Sequence, residues 1–433
     1  MDLKCMKGRD LLSFMKYENL HRYSQMKHIN KVCSPYLSFP EFSKEKWIFL
    51  PLKNIATIRS ERAGNKKCIL LSVSSGVGLI SQKEKFGREI AGKQYERYFL
   101  VHKNDFVYNK SATKTYPQGT INLYHNKELA AVPSSMFTCF YVDFNIINIS
   151  YLKYLFKFNI HGKWLRKFIT TGARAHGSFN IDSKDFLSIP IPIPLGEKSL
   201  SEQQKIADCL SSLDELIEAH EQKFDALKQH KKGLMQRLFP AKGETAPRWR
   251  FPEFRNAGEW EKYEIGDIFT ATRGQVLAMT ELQAIKTKKF SYPVYSSQTK
   301  NNGLAGYYSD YLYENAITWT TDGANAGEVN FRKGKFYCTN VCGVLLNKDG
   351  YANKCISEII NFVSKKYVSY VGNPKLMNNV MKKIKITIPS LPEQQKIADC
   401  LTSLDERIEA QEEKIAALKE HKKGLMQKLF PSL

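Results

Sequence analysis

Among side chains able to do chemistry, cations dominate this sequence. Lys and Arg number 65 against 43 Asp and Glu, a formal net charge of +22 with a sequence pI near 9.4. That excess favours a polyanionic partner, and nucleic acid over a membrane surface because no basic amphipathic anchor accompanies it. The cysteines, at 5, 33, 68, 139, 209, 338, 342, 355 and 400, are odd in number and form no CxxC pair. They read as reduced thiols, not as a disulfide framework or a zinc site. Cys338 and Cys342 stand four apart in an expected strand region and are not assigned to a metal. There is no GxxxxGKS/T for nucleotide phosphates, no HExxH and no GxSxG. Gly76-Val77-Gly78 is a lone GxG and reads as a turn. Asn373-Pro374 is followed by Lys375, so the aromatic-flanked Asn-Pro-Pro motif of amino-methyl transfer is missing. The histidines are dispersed, and no carboxylate cluster has convincing nuclease spacing. The expectation is a chain with no catalytic residue, metal or cofactor of its own.

The length of 433 residues suggests about three domains. No apolar run approaches the ~18 residues of a membrane span. The opening MDLKCMKGRDLLSFMKYENLHRY places charge in every turn and shows no signal peptide. Secreted and integral-membrane readings are therefore set aside, and a cytoplasmic location is expected.

The elements that must position these cations are announced by a repeat. Residues 202–240 and 393–431 align without a gap at an offset of 191, with 31 of 39 positions identical. In the first copy Ile206, Leu210, Leu213, Ile217, Phe224, Leu227, Leu234 and Leu238 recur by fours and threes, with His220 and Lys231 filling two places. The second copy gives Ile397, Leu401, Leu404, Ile408, Gln411, Ile415, Leu418, Lys422, Leu425 and Leu429. Alternating three and four is the period of a coiled-coil seam, and the polar places weaken packing while fixing register. Two helices this similar face the same constraints, which favours an antiparallel intramolecular pair over two unrelated core helices. Each copy carries a net charge of −1, leaving +24 elsewhere. The helices are spacers or protein docks, and the polyanion belongs on the segments between them.

Those segments share an opening. Phe39-Pro40-Glu41-Phe42 with Trp47 recurs as Phe251-Pro252-Glu253-Phe254 with Trp260. Short runs such as Lys67–Val73, Phe99–His102 and Phe137–Val142 read as strands, and 151–169 and 355–371 as amphipathic helices. The expected fold class is α+β: two globular domains alternating with two long helices that pair as an antiparallel coiled coil, a pseudo-twofold internal repeat. The boundaries are an N-terminal extension 1–38, a first domain 39–195, a first helix 196–240, a linker 241–250, a second domain 251–388 and a second helix 389–433.

The duplicated LPEQQKIADCLTSLDE…HKKGLMQKLF element, alternating with basic segments, resembles the specificity subunit of type I restriction-modification systems. Asp105-Phe106-Val107-Tyr108-Asn109 and Thr318-Trp319-Thr320-Thr321-Asp322-Gly323 add to the likeness, as does Ile265-Gly266-Asp267. The first 38 residues and Leu50-Pro51-Leu52-Lys53 depart from the family pattern. The resemblance implies two target recognition domains, each reading half of an asymmetric bipartite site in double-stranded DNA, with the helices as a ruler. It implies two modification (methyltransferase) subunits and the restriction subunits as partners. S-adenosylmethionine, ATP and Mg²⁺ would then act on those partners, in DNA methylation and phage defence by a bacterium or archaeon. Adenine is the methylation target the family favours.

Arg and Lys suit guanine O6/N7, Asn and Gln suit adenine N6/N7, and phosphate neutralisation supplies affinity. In the first domain the candidates are Arg59, Arg62, Lys66, Lys67, Lys110, Lys114, Arg174, His176 and Asn180, with 170–178 the most promising loop. In the second they are Arg273, Gln275, Ser297, Gln298, Lys300, Asn301, Asn302, Lys375, Asn378 and Asn379, with 296–302 the corresponding loop. Two other readings stay open: a coiled-coil assembly adaptor with basic protein-binding domains, and a self-contained restriction-modification enzyme with an unrecognised catalytic site.

Overall fold

The computed structural model describes residues 33–74, 77–112, 116–169, 181–241, 243–297 and 300–432. They form two compact units. One comprises the residues up to 218 with those from 416 on; the other is 219–415.

In the first unit the globular segment is closed by a two-stranded antiparallel ribbon. β1 (Trp47–Pro51) pairs with β10 (Pro190–Pro194), Trp47 opposite Pro194 and Pro51 opposite Pro190. Pro190, Pro192 and Pro194 alternate with the buried Ile191 and Ile193, which suits a strand with only one paired edge. β2 (Ala56–Arg59), β9 (Phe137–Val142), β6 (Phe106–Asn109) and β7 (Thr120–Leu123) form one antiparallel sheet. β4 (Gly78–Ser81), β3 (Ile69–Ser74), β8 (Ala130–Val132) and β5 (Phe99–Val101) form a second. The apolar stretch 151–169 is two helices, α2 (Ile149–Lys157) and α3 (Ile160–Leu165). The break falls at Asn159, in the left-handed region at φ 61°. Short helices α1 (Gln82–Phe86) and α4 (Ser183–Leu187) complete the segment.

The second unit repeats the plan. β11 (Glu261–Glu264) pairs antiparallel with β18 (Lys385–Ile388). A six-stranded sheet runs in the order β12 (Thr270–Arg273), β17 (Cys342–Leu346), β15 (Tyr313–Thr320), β16 (Val329–Cys338), β13 (Tyr292–Tyr295), β14 (Leu304–Tyr308). Short α6 (Ile265–Ile268) follows the ribbon strand, α7 (Lys354–Ser364) covers the sheet, and α8 (Asn378–Lys382) leads into β18. The helix expected over 355–371 thus ends at Ser364, followed by a single 3₁₀ turn to Tyr367.

The repeats are two continuous helices, α5 (Ser199–Leu238) and α9 (Leu391–Leu429). Each opens with a buried glutamine that fastens it to its globular segment. Gln203 donates to the Ile146 carbonyl and accepts from the Asn148 amide; Gln394 donates to the Pro389 carbonyl and accepts from the Asn353 side chain. Pro392 sits in the first turn of α9, where no backbone donor is needed. Within the first unit Ile206, Ala207 and Leu210 of α5 share one core with Met426, Leu429 and Phe430 of α9. Within the second, Ile397, Ala398 and Leu401 share a core with Leu238 and Phe239. The start of one helix lies against the end of the other in both units, so the pairing is antiparallel.

The apolar positions of the two helices differ in burial. Ile206, Leu210, Ile217, Ile397, Leu401, Leu404 and Ile415 are buried, while Leu213, Phe224, Leu227, Ile408 and Leu418 are half-buried. All four polar seam places find partners. Lys231 Nζ lies 2.6 Å from Asp405 Oδ1, Lys422 makes the corresponding contact to Asp214, and Gln411 bonds His220.

Candidate nucleic-acid interface

In the second unit the sheet converges its loops on one rim. Gly274 N donates to Cys342 O and Gln275 N to Cys338 O. A side chain at Gly274 would place its Cβ 2.2 Å from the Cys338 carbonyl, so glycine permits this close approach. Thr321 N donates to Val341 O, Leu376 N to Thr321 O and Gly323 N to Pro374 O. Asn325 Nδ2 donates to the Ser297 carbonyl at 3.1 Å, and Thr339 Oγ1 to Ser296 Oγ at 3.1 Å. Loops far apart in the chain, as Gly274 and Cys342 are, are thereby tied edge to edge. Thr318-Trp319-Thr320-Thr321-Asp322-Gly323 is the end of β15 and its turn, with Trp319 Nε1 donating to Leu376 O at 2.9 Å.

This rim gathers Arg273, Gln275, Ser297, Lys375 and Asn378. Arg273 Nε lies 3.4 Å from Asn378 Oδ1, and Asn378 Nδ2 donates to Thr272 O at 3.3 Å, so Asn378 holds the arginine. Gln275, Lys375 and Asn379 are exposed. Asn301 and Asn302 are exposed and successive left-handed residues (φ 50° and 51°) in the turn before Gly303. Ser296 N donates to the Gly303 carbonyl, which brings that turn to the same rim. Gln298 and the side chain of Lys300 lie outside the described residues.

One cation escaped the sequence reading. Arg332, within β16, is buried with its guanidinium 3.7 Å from the Tyr295 ring centroid, and its Nε donates to Thr318 Oγ1 at 3.0 Å. Burial pulls its pKa below the usual arginine value. No motif marks an arginine in a strand interior, so nothing in the sequence singled it out.

The first unit divides its candidates differently. Arg59 is bidentate on the buried Asp105, at 2.7 and 3.1 Å, and lies 4.8 Å from the Tyr141 ring centroid. Lys66 pairs with Glu61, which also meets His102 Nε2 at 3.0 Å; bonds from Lys66 and His102 hold the Glu61 carboxyl below its usual range. Arg62 stacks on Phe99 at 4.3 Å and donates to the Arg97 carbonyl at 2.7 Å. Lys67 is exposed and has no ion-pair or hydrogen-bond partner among the described residues. Lys110 is half-buried beyond β6, and burial lowers its pKa. Lys114, Arg174, His176 and Asn180, with the whole 170–178 loop, lie outside the described residues.

Beside Lys110 opens a cleft of about 690 Å³ whose polar lining includes Ser72, Asn109, Ser111, Asn122 and His161. His161 is buried, its Nε2 3.2 Å from the Gly119 carbonyl and its Nδ1 without a partner among the described residues. Burial drives its pKa down to about 4, so the imidazole is neutral at pH 7. Among the described residues no helix is long and apolar enough to cross a membrane, and no group of three or more His, Cys, Asp or Glu is placed to hold a metal.

Comparison with known proteins agrees with this architecture. The model for the type I restriction modification DNA specificity domain matches residues 44–229 and 257–420. An N-terminal putative type I specificity subunit of Mycoplasma pneumoniae is 40% identical over 142 residues, 32% of this chain and 74% of that protein. The type I restriction enzyme MpnII specificity subunit of the same organism is 34% identical over 149 residues, 34% of this chain but only 44% of its own length. The putative MjaX specificity subunit of Methanocaldococcus jannaschii is 26% identical over 302 residues, 66% of this chain and 68% of that protein. A crystal structure of a type I restriction-modification S subunit from M. genitalium superposes with a TM-score of 0.64 at 16% identity, covering 92% of this chain and all of that one. A chain from a structural study of type I system assembly and conformational transition gives 0.51 at 13% identity, covering 88% and 97%. With its two family-matched stretches each combining a mixed globular segment and a long helix, the chain belongs to the type I restriction-modification DNA specificity family.

Proposed function

We propose that this chain selects the DNA sequence acted on by a type I restriction-modification complex. Its globular segments, 39–195 and 251–388, serve as target recognition domains that each read one half of an asymmetric bipartite site. The helix pair sets the spacing between the half-sites and offers two equivalent docks for modification subunits, with restriction subunits joining them. Methyl transfer and ATP-driven translocation then belong to those partners, and this chain contributes positioning and base readout.

The observation that carries the reading is the rim of the second unit, where Arg273, Gln275, Lys375 and Asn378 converge on a chain of net charge +22. These are the side chains that match guanine and adenine edges or neutralise phosphate. The two segments present different residues, which favours an asymmetric target. Co-expression with the cognate modification subunit, followed by genome-wide mapping of methylated bases, tests it. An asymmetric bipartite motif with a fixed gap is expected; stable assembly without any methylated motif would overturn it.

A further inference from the structure

The loop that follows α7 is built to hold something out. Ser369 and Lys375 exchange two backbone hydrogen bonds of 2.9 Å, closing the turn between them. Its stem is pinned by Gly323 N to Pro374 O, Leu376 N to Thr321 O and Trp319 Nε1 to Leu376 O, each 2.9 Å, with Val368 and Leu376 buried beneath. At the tip, Tyr370 and Val371 are 70% and 92% exposed. Single exposed apolar residues are ordinary, but two in succession on a turn pinned at its stem are not core residues that failed to pack.

Their surroundings indicate what they meet. Lys375 stands at the stem, Lys365 and Lys366 are exposed in the preceding turn, and Arg273 lies 3.4 Å from Met377, itself part-exposed, and beside Asn378. Asp322 also flanks the stem, its carboxylate accepting from Thr321 Oγ1. An apolar tip with cations and amides on its stem and flanking segments suits duplex DNA, where apolar side chains wedge between base pairs while flanking cations hold the backbone.

Building on the function proposed above, we propose that Tyr370 and Val371 form a wedge that enters a base-pair step of the half-site bound by the second unit, unstacking it and kinking the duplex. Unstacking is easiest at flexible pyrimidine–purine steps, so the wedge contributes specificity at a step that need not be touched by hydrogen bonds. The test uses the complex with its modification subunit and duplexes carrying the mapped target, with 2-aminopurine placed in turn at each step of that half-site. The modification subunit flips the methylated base by itself, so that position is set aside, and wild type is expected to brighten one other step several-fold. The double variant Tyr370→Ala/Val371→Ala, expected to melt like wild type because both side chains are exposed, should leave that other step dark and lose at least about tenfold in affinity for that half-site. No brightening away from the methylated base with wild type bound at its target, or such brightening untouched by the double variant, overturns the wedge. Loss of modification-subunit assembly in the double variant, with DNA binding intact, assigns the tip to protein docking and also overturns it. Failure of wild type to bind any specific sequence would remove the functional reading itself, and the wedge with it.

Discussion

Gln411 hydrogen-bonds to His220, its own counterpart in the repeat 191 residues earlier. Its amide nitrogen lies 2.7 Å from the imidazole Nδ1 and 2.8 Å from the main-chain carbonyl. The positions that interrupt the apolar rhythm of the two helices are thus not tolerated defects. Two of them satisfy each other, and the other two, Lys231 and Lys422, reach Asp405 and Asp214, which are counterparts in the same repeat.

Replacing His220 and Gln411 together by leucine should leave thermal stability unchanged or raised, because both partners of a buried polar contact are removed at once. Gln411→Leu alone leaves the His220 imidazole facing an apolar neighbour and should cost ~1–3 kcal/mol. A double-mutant cycle from denaturant unfolding checks this, and additive single effects would mean that the bond does not couple the helices.

The two buried glutamates that open the long helices differ in their partners, and Glu202 should make stability depend on pH. Glu393 is bidentate with Arg250, whereas its counterpart Glu202 is buried with Oε2 unpartnered among the described residues. The Phe-Pro-Glu-Phe openings place Ser38 where Arg250 stands, and the repeated ion pairs Glu41–Lys205 and Glu253–Lys396 confirm that alignment. Burial pushes the Glu202 carboxyl up to about 7 from 4.5. A raised folded pKa means the folded state holds the proton longer than the unfolded chain does. Stability from this group therefore falls as pH climbs from about 4.5 to 7 and is flat above, at a slope of at most ~1.4 kcal/mol per pH unit. Glu202→Gln should remove that dependence and raise the melting temperature at pH 8. Ser38→Arg should also raise it at pH 8, by supplying the missing cation. Melting curves across pH 5–8 decide, and an unchanged slope in both variants would refute the assignment.

Arg59 and Lys67 should separate stability from binding. Arg59→Ala leaves Asp105 buried without its guanidinium and should cost about 3 kcal/mol in unfolding free energy. Lys67→Ala should change stability by no more than about 0.5 kcal/mol, yet lower the slope of log affinity for DNA against log salt by about 1 if Lys67 touches phosphate. Urea unfolding and salt titrations of DNA binding measure both effects.

How far these assignments could be read in advance depends on the range of the interactions. The helices were legible because 31 of 39 repeated positions and a three-four rhythm are local properties of the chain. So were their polar interruptions. The break between α2 and α3 was not, since apolar periodicity runs through it and the left-handed turn at Asn159 leaves no mark in composition. At the interface, residue type alone made Arg59 and Lys67 equivalent candidates. What distinguishes them is Asp105, 46 residues from Arg59 along the chain, and such non-local pairing is invisible until the sheet forms. Arg273 and Asn378 meet across 105 residues for the same reason.

That last meeting gives the sharpest test of base readout. If Asn378 acts by holding Arg273, Asn378→Ala should weaken the second half-site less than Arg273→Ala, which should cost ~1–3 kcal/mol for a lost bidentate base contact. The two losses should not add, because freeing an arginine that is already absent changes nothing. Binding of the mapped target is compared with a duplex in which only that half-site is scrambled. Fully additive losses would place Asn378 on a base of its own, and a loss equal on both duplexes would place Arg273 on phosphate, where it supplies affinity without sequence information.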